Sequence, residues 1–509
     1  MNTLADSAES RYKEELAAAG MEDGPPSALM SIDRLKCILE YQLAWRELEW
    51  RSEKLVPMLP GGVWELYGGI LAQAKDRQTL VFRQLPSEIR GIEEKQWEGN
   101  IGVMIRDFGM DPSQDLLAVI ENPSGNGIHR VHLRTLSSGQ PHPKACNPAV
   151  ISHAPDGENF SFAIQIADEY LAILFIASGE DSRSELIVWN WRTGNVEMAI
   201  HGKELASFSF LTDRQILLAY IEIAFDELAP TFTEPYFMVV DFKAGSPEST
   251  HIRDLDFEAA FHYPPMMPSA TPLAVSIRSD PAPSWKPNED LKVPFHAARD
   301  ERLFVITFWV AADVNISNLI MFIPSSTIVS RLRTLQTNEK GRRFYWDEWG
   351  PTGTRLRFAP PGHSMVWVCY VLGMAFIAPF RSSRALHPPR GPKMVQVFDF
   401  NQLAIKRALS RKEEEPQSEV THIITEESTV SLGGVFVHDV HTSLPYRWRV
   451  KTVPVHPEHT FDAVMLGEDA IVTVTSVSTP LPISVDCELI HINHMMQRAE
   501  VREYRILSF

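Results

Sequence analysis

Short, nearly continuous apolar runs that end in an aromatic residue and a glycine turn recur along most of this chain. The clearest is "SELIVWNWRTGNVEM", Ser184 to Met198, where apolar residues lead into Trp189, Asn190 and Trp191 and Arg192-Thr193-Gly194 supplies the turn. It predicts a strand buried on both faces and closed by a glycine free to adopt positive φ. "YLAILFIAS" (Tyr170 to Ser178) precedes it as a partner, and the pairing repeats. "DLLAVIE" precedes "RVHLRTLSSG", "QILLAYIEI" precedes "YFMVVDFKAG", and "RLFVITFWV" precedes "LIMFIPSS". "SMVWVCYVL" (Ser364 to Leu372) before "MVQVFDFNQ", and "AIVTVTS" (from Ala470) before "CELIHINH" (from Cys487), bring the pairs to six. Asp241, Phe242 and Gly245 repeat the strand-end chemistry of Asn190, Trp191 and Gly194.

This repetition predicts a mostly β fold, a closed β-propeller of six or seven blades preceded by a short α-helical stem. Seven is preferred, because Ser431 to Val453 supplies further strands between the last two pairs. The interval from Val188 to Val239 slightly exceeds the roughly 40 to 45 residues of a WD repeat. Two β-sandwich domains would satisfy the alternation alone; the repeated aromatic-and-glycine strand end favours the ring. Before residue 76 the pattern is helical. "RYKEELAAAG" runs into Gly20 as a stop, and after a Ser31 cap Ile32, Leu35, Ile38, Leu39 and Leu43 recur at helical spacing. Residues 1–75 are therefore expected to form the stem and residues 76–509 the propeller. Leu35, Leu39, Leu43, Trp45 and Trp50 should dock the stem, and Thr79–Gln84 should close the ring by sharing a blade with "REYRILS" (Arg502 to Ser508). "FHYPPMMPSATP", "RSDPAPSWKPNEDLKVP" (Arg278 to Pro294) and "RKEEEPQSE" read as solvated rim loops.

Composition narrows the partners. Lys and Arg total 48 against 65 Asp and Glu, a net charge of -17 over 509 residues, which repels nucleic-acid phosphates and anionic membranes. Cys37, Cys146, Cys369 and Cys487 show neither zinc-ligand spacing nor a disulfide framework, so a reducing compartment, cytoplasm or nucleus, is expected. "MNTLADSAES" has no secretion-signal pattern. The uncharged run from Phe358 to Phe380 is broken by Pro360, Pro361, Gly362 and Pro379, which leaves less than the roughly 20 residues of a spanning helix.

No stretch carries a catalytic signature, and no catalytic, cofactor or metal residue is assigned. His456, Glu458 and His459 lack helical metal-ligand spacing and surround Pro457. Asp347 and Glu348 are adjacent, so in a strand they face opposite ways. "GHSMV" lacks the second glycine of a nucleophile elbow, and "SGNGI" has no phosphate-cradling helix after it. "LPSEI" (Leu85 to Ile89) looks like the opening of an F-box but leads into strand-like sequence instead of amphipathic helices.

Several stretches together resemble a group of fungal F-box-like proteins with a divergent WD-type propeller region. They are "RYKEELAAAGMEDGPPS" (Arg11 to Ser27), "GGVWELYGG" (Gly61 to Gly69), "FRQLPSEIRGIEEKQW" (Phe82 to Trp97), "IRDFGMDPSQDLL", "VHLRTLSSGQPHP", "WDEWGP" (Trp346 to Pro351) and "TSLPYR" (Thr442 to Arg447). The resemblance spans almost the whole chain, and its motifs are landmarks rather than catalytic signatures. It implies a non-enzymatic interaction scaffold, the substrate-recognition part of a ubiquitin-ligase adaptor, with a protein substrate as partner. In that group an F-box precedes the segment matching Arg11 to Gly20 and binds the ligase linker subunit. Only ten residues precede Arg11 here, so binding of that subunit is expected only with an upstream F-box restored. Two other readings are a propeller hydrolase or lyase with a site in the central channel, and a ligand-binding propeller that uses exposed tryptophans.

Overall fold

The computed structural model describes residues 2–509 except 124–126, 178–182, 222–234, 313–314, 337–338, 361–362, 364–368, 381–392, 411–420, 454–459 and 479–499. Seven sheets of four or five strands follow one another along the chain as the blades of a propeller. Blade 1 comprises Trp64–Tyr67, Ile70–Ala74, Thr79–Gln84 and Lys95–Asn100. Blades 2 to 5 occupy 105–153, 160–202, 205–262 and 270–358, blade 6 runs from Val371 to Val453, and blade 7 begins at Thr460. The apolar runs are continuous because neighbouring blades cover both faces of each strand. In Leu116–Glu121, Leu116, Ala118 and Ile120 pack toward blade 3, while Leu117 and Val119 join Ala72 and Phe82 of blade 1.

The repeated strand end has one physical cause. Asn190 Oδ1 accepts the amides of Arg192 and Thr193 at 3.1 and 3.2 Å, and Asp241 Oδ1 accepts those of Lys243 and Ala244 at 3.1 and 3.3 Å. Each short polar side chain turns the chain sharply and sends the next aromatic, Trp191 or Phe242, fully into the core. Gly194 takes φ +79°, as the turn demands. Gly245 stays at -68°, so there the capping carboxylate suffices.

Ring closure departs from expectation. Thr79–Gln84 stays within blade 1, and the C-terminal strand Glu500–Ser508 pairs instead with Ser52–Pro57, in register from Ser52↔Ser508 to Pro57↔Glu503. Blade 7 thus takes its outermost strand from the N-terminal side and its other strands from the C-terminal end. Ser52–Pro57 escapes sequence reading because only Val56 on it is buried. The strands of the ring consequently begin inside the segment assigned to the stem. Four of the six strand pairs form as read. Met394 pairs with Phe380 of Ala375–Phe380 rather than with Ser364–Leu372, of which residues 364–368 lie outside the described residues. Ala470–Ser478 pairs with the terminal strand, and the segment from Cys487 to His494 lies outside the described residues.

The stem is two helices, α1 (Asn2–Ala19) and α2 (Ser31–Glu47). Gly20 takes the left-handed φ of +66° expected of a stop. The N-cap of α2 is Met30 and not Ser31, without a side-chain capping bond. Leu35, Ile38, Tyr41, Ala44 and Leu48 bury against blades 5, 6 and 7, and Trp45 stacks on Phe509 with centroids 4.1 Å apart. Ile32 and Leu43 instead remain 54% and 49% exposed, so the face that α2 buries is narrower than its apolar spacing suggests.

The segment Arg278 to Pro294 is likewise no solvated loop. It joins the first two strands of blade 5 across the mouth of the ring, with Trp285 and Val293 buried. The amide of Ala282 donates to Tyr67 Oη of blade 1 at 3.1 Å, and that of Gly373 of blade 6 donates to the Asp280 carbonyl at 2.7 Å. Arg302, fully buried, donates to the carbonyls of Phe210 and Leu211 in blade 4 at 3.0 and 2.6 Å and to that of Pro281 at 3.3 Å. Just beyond it Phe295–Ala297 pairs antiparallel with Met21–Asp23 of the stem. "FHYPPMMPSATP" is partly strand, with Phe261 and Tyr263 buried, and "RKEEEPQSE" lies outside the described residues.

Candidate functional site

Charged side chains gather in three places: a knot under the stem, a set of buried carboxylates and a groove beside the stem. In the knot Arg90 Nη1 lies 2.6 Å from both Glu468 Oε2 and Asp469 Oδ2, with all three side chains buried. Glu468 Oε1 accepts the Ala297 amide at 2.8 Å and Trp285 Nε1 at 3.4 Å, and its carbonyl accepts Tyr41 Oη at 2.6 Å. Burial opposes its charge, yet Arg90 holds the Glu468 carboxyl below the usual range; burial pushes Asp469 up to about 6. "LPSEIR" thus binds blade 1, blade 7, the mouth segment and α2 together: Leu85, Ser87 and Ile89 are buried, and Ser87 Oγ donates to the Phe509 carbonyl. This is structural chemistry, since the bonds of Arg90 and Glu468 all run to other parts of the chain, although the buried Arg90 Nε and Asp469 Oδ1 have no hydrogen-bond partner among the described residues.

The other landmarks behave alike. Arg34 gathers the first one, donating to Asp23 at 2.6 Å, to the Pro25 carbonyl at 2.9 Å, to Ser27 at 3.0 Å and to the Pro294 carbonyl at 3.0 Å. "WDEWGP" forms the helix Trp346–Gly353 rather than a strand, and Glu348 caps it by accepting the Tyr345 amide at 2.8 Å. Arg355, fully buried, donates to the carbonyls of Thr442 and Leu444 in "TSLPYR" at 3.0 and 2.8 Å.

Asp280 and Asp107 both come close enough to Glu65 to influence its carboxyl. Burial, then Asp280 and Asp107, lifts the Glu65 carboxyl well above the usual range, and burial pushes Asp107 and Asp280 each up to about 6. Among the described residues no group of three or more His, Cys, Asp or Glu is placed to hold a metal ion. His456, Glu458 and His459 lie outside the described residues, as do most of "SGNGI" and "GHSMV". Among the described residues no tryptophan is exposed; the exposed large apolar side chains are mainly aliphatic, with Tyr345 at 59%.

The groove, about 1140 Å³, runs between the stem and blade 6. One wall is α2, with Leu39, Leu43 and Arg46; the other is the strand Thr421–Ile424. On the floor Arg447 and Arg449 share Asp399, at 4.0 and 3.5 Å. Arg449 also donates to the Trp45 carbonyl, and burial pushes its pKa down to about 10. At the rim Arg407 makes a two-pronged ion pair with Glu15, at 2.5 and 2.7 Å. Burial opposes the charge on Glu15, but Arg407 and Gln42 hold its carboxyl below the usual range. Five arginines and four carboxylates line the groove, a positive balance in a chain whose acids outnumber its bases 65 to 48. Nothing local along the chain announces this groove, because its walls come from segments almost 400 positions apart.

No protein-family model matches the chain, and no curated protein matches it in sequence. Among solved structures, Drosophila Semaphorin 1b, extracellular domains 1-2, is 8% identical over 90% of this chain and 88% of that chain, with a TM-score of 0.38. Polysaccharide lyase Uly1 is 9% identical over 90% of this chain and 91% of that chain, at 0.36. The uncharacterized protein lmo1340 of Listeria monocytogenes is 10% identical over 60% of this chain and 82% of that chain, at 0.26. Likeness of this degree lends no argument about activity, and the architecture rests on the chain's own strand pairing. On that pairing the protein is a seven-bladed β-propeller with a docked pair of helices. No helix among the described residues is long and apolar enough to cross a membrane.

Proposed function

We propose that this protein is a non-enzymatic interaction scaffold of the cytoplasm or nucleus, the substrate-recognition part of an F-box-type ubiquitin-ligase adaptor. The observation that carries the reading is the way the stem is held. Tyr41, Arg34, Trp45 and the Arg90 knot fix α1 and α2 to one face of the ring, so any module attached ahead of α1 is held in a set orientation. The open groove beside the same helices then presents a captured protein toward that module. Two of the stretches that resemble F-box-like proteins, Arg11 to Ser27 and Phe82 to Trp97, take part in this docking, which fits a scaffold whose chemistry resides in other subunits.

The test is reconstitution. The 509-residue chain, with an F-box fused before Met1, is assembled with the linker subunit and the rest of the ligase, then offered the cellular proteins that the chain captures. We expect a captured protein to be ubiquitinated by the fused chain and not by the unfused one. Failure to retain any cellular protein, or retention without ubiquitination, overturns the reading. So does linker binding by the unfused chain, which would place that contact on the propeller itself.

A further inference from the structure

The strand Thr421–Ile424 ends the sheet of blade 6. It pairs with Tyr446–Val453 on one side, from Thr421↔Arg449 to Ile424↔Tyr446, and no strand pairs with its other side among the described residues. All six residues from 421 to 426 border the groove. Successive side chains of a strand point to opposite faces, so a cavity that touches every one of them must lie along the strand's edge. A free edge presents unpaired N–H and C=O groups to whatever enters.

Register sorts the two faces. Thr421, Arg449 and Val397 lie in one row across the sheet and Ile423, Arg447 and Asp399 in the next, so the arginines share a face with alternate residues of the edge strand. That face holds two guanidiniums for one carboxylate, and the buried Arg449 Nε has no hydrogen-bond partner among the described residues. The opposite face carries His422 stacked on Trp448, centroids 5.7 Å apart, beside Ile424. Residues of an added strand would meet Thr421 and Ile423 as cross-strand neighbours roughly 5 Å away, with Arg449 and Arg447 one strand further in, at about 10 Å between backbones, a gap that two long side chains reaching along the face can bridge.

We propose that the groove binds an extended peptide segment of a partner protein, added as a strand beside Thr421–Ile424. Alternate residues of that segment are acidic, toward Arg447 and Arg449, and the residues between them are apolar, toward His422 and Trp448. Backbone bonding gives such a mode its affinity, and alternate side chains give it selectivity. The inference rests on the scaffold reading, because it names the class of partner which that scaffold captures.

A fluorescein-labelled peptide of alternating valine and glutamate is titrated against the full chain and followed by anisotropy. Its alternating valine–lysine counterpart, and versions N-methylated on either set of alternate amides, serve as controls. We expect saturable binding of the first peptide and at least tenfold weaker binding of the lysine peptide and of one N-methylated version. Leu43→Glu and Arg11→Glu, both at exposed positions on the groove's rim, should weaken binding at least tenfold with unchanged melting. No binding of the valine–glutamate peptide, equal binding of all probes, or indifference to Leu43→Glu overturns the proposal. Concentration-dependent dimerisation lost in Leu43→Glu would make a second copy the occupant and overturn it as well. A captured cellular protein that cross-links elsewhere on the propeller defeats this proposal alone. Peptide binding here without capture of any cellular protein defeats the scaffold reading alone.

Discussion

Arg90 is the counter-charge of the knot under the stem, and its cost of removal follows from what it leaves behind. Without it Glu468 and Asp469 stay buried side by side with no counter-charge. Breaking a buried pair by deleting one partner typically costs about 3 to 5 kcal/mol. Arg90→Met is therefore expected to lower the urea midpoint by an amount of that order, and a change within error would show that the knot relaxes to water. Asp280 offers a test by pH. Its carboxyl titrates at about 6 in the fold, above the roughly 3.9 of an unfolded aspartate. The stability tied to its neutral form is therefore fully present below about pH 4 and lost as pH rises through about 6. Asp280→Asn escapes that loss. Its stability relative to the wild type should rise between about pH 4 and about pH 6.5, by up to roughly 2 kcal/mol, and level off above that, in paired urea titrations. A gap that does not change with pH would mean that Asp280 is well solvated.

Among the elements, α2 and the mouth segment depend on each other. Trp45 stacks on Phe509 and joins the core shared by the stem and blades 5 to 7. Trp45→Ala should cost about 3 kcal/mol, the lower end for a large aromatic, because the ring is only partly buried. Trp50 lies at the margin of the same core under Lys451, and Trp50→Ala should cost clearly less in the same thermal melts. Gly24 matters through close approach: a Cβ there would stand 1.9 Å from the Val293 carbonyl oxygen, which is backbone and cannot swing away. Gly24→Ala is expected to loosen the stem while sparing the ring. Hydrogen exchange should then quicken at Met21–Asp23 and Phe295–Ala297 and stay slow in Leu116–Glu121; uniform protection would contradict the separation.

At the scale of the molecule, closure by Ser52–Pro57 decides whether seven blades unfold as one. Closing the ring leaves blade 7 without an open outer edge on Glu500–Ser508. Val56, the buried residue of that strand, packs among Leu66, Val472 and Ile506. Val56→Asp would place a carboxylate there without a partner, a change expected to cost about 3 kcal/mol or more. The signature to look for is lost cooperativity: blade 7 should open before the rest, giving denaturant transitions that differ between probes. A single coincident transition would show that blade contacts alone hold the ring.

The sequence by itself determined the repeat. Strands buried on both faces must be apolar throughout, and an Asn or Asp followed by a buried aromatic turns the chain wherever it occurs; both rules are local, so Asn190-Trp191 and Asp241-Phe242 read true. The helices of the stem were legible for the same reason, through the spacing of Leu35 and Ile38. What lay beyond reach was set by partners far along the chain. Ser52–Pro57 is polar because only one of its side chains is buried, so nothing in it announces a strand until Glu500–Ser508 is beside it. Arg278 to Pro294 looks like a solvated loop because its burial comes from the turns of other blades and not from its own pattern. The groove exists only where α2 and the edge of blade 6 meet, and nothing local marks Arg447 and Arg449 until register sets them around Asp399. Local sequence fixes periodicity and turn chemistry, whereas long-range packing alone decides which edge is left open and which charges face it.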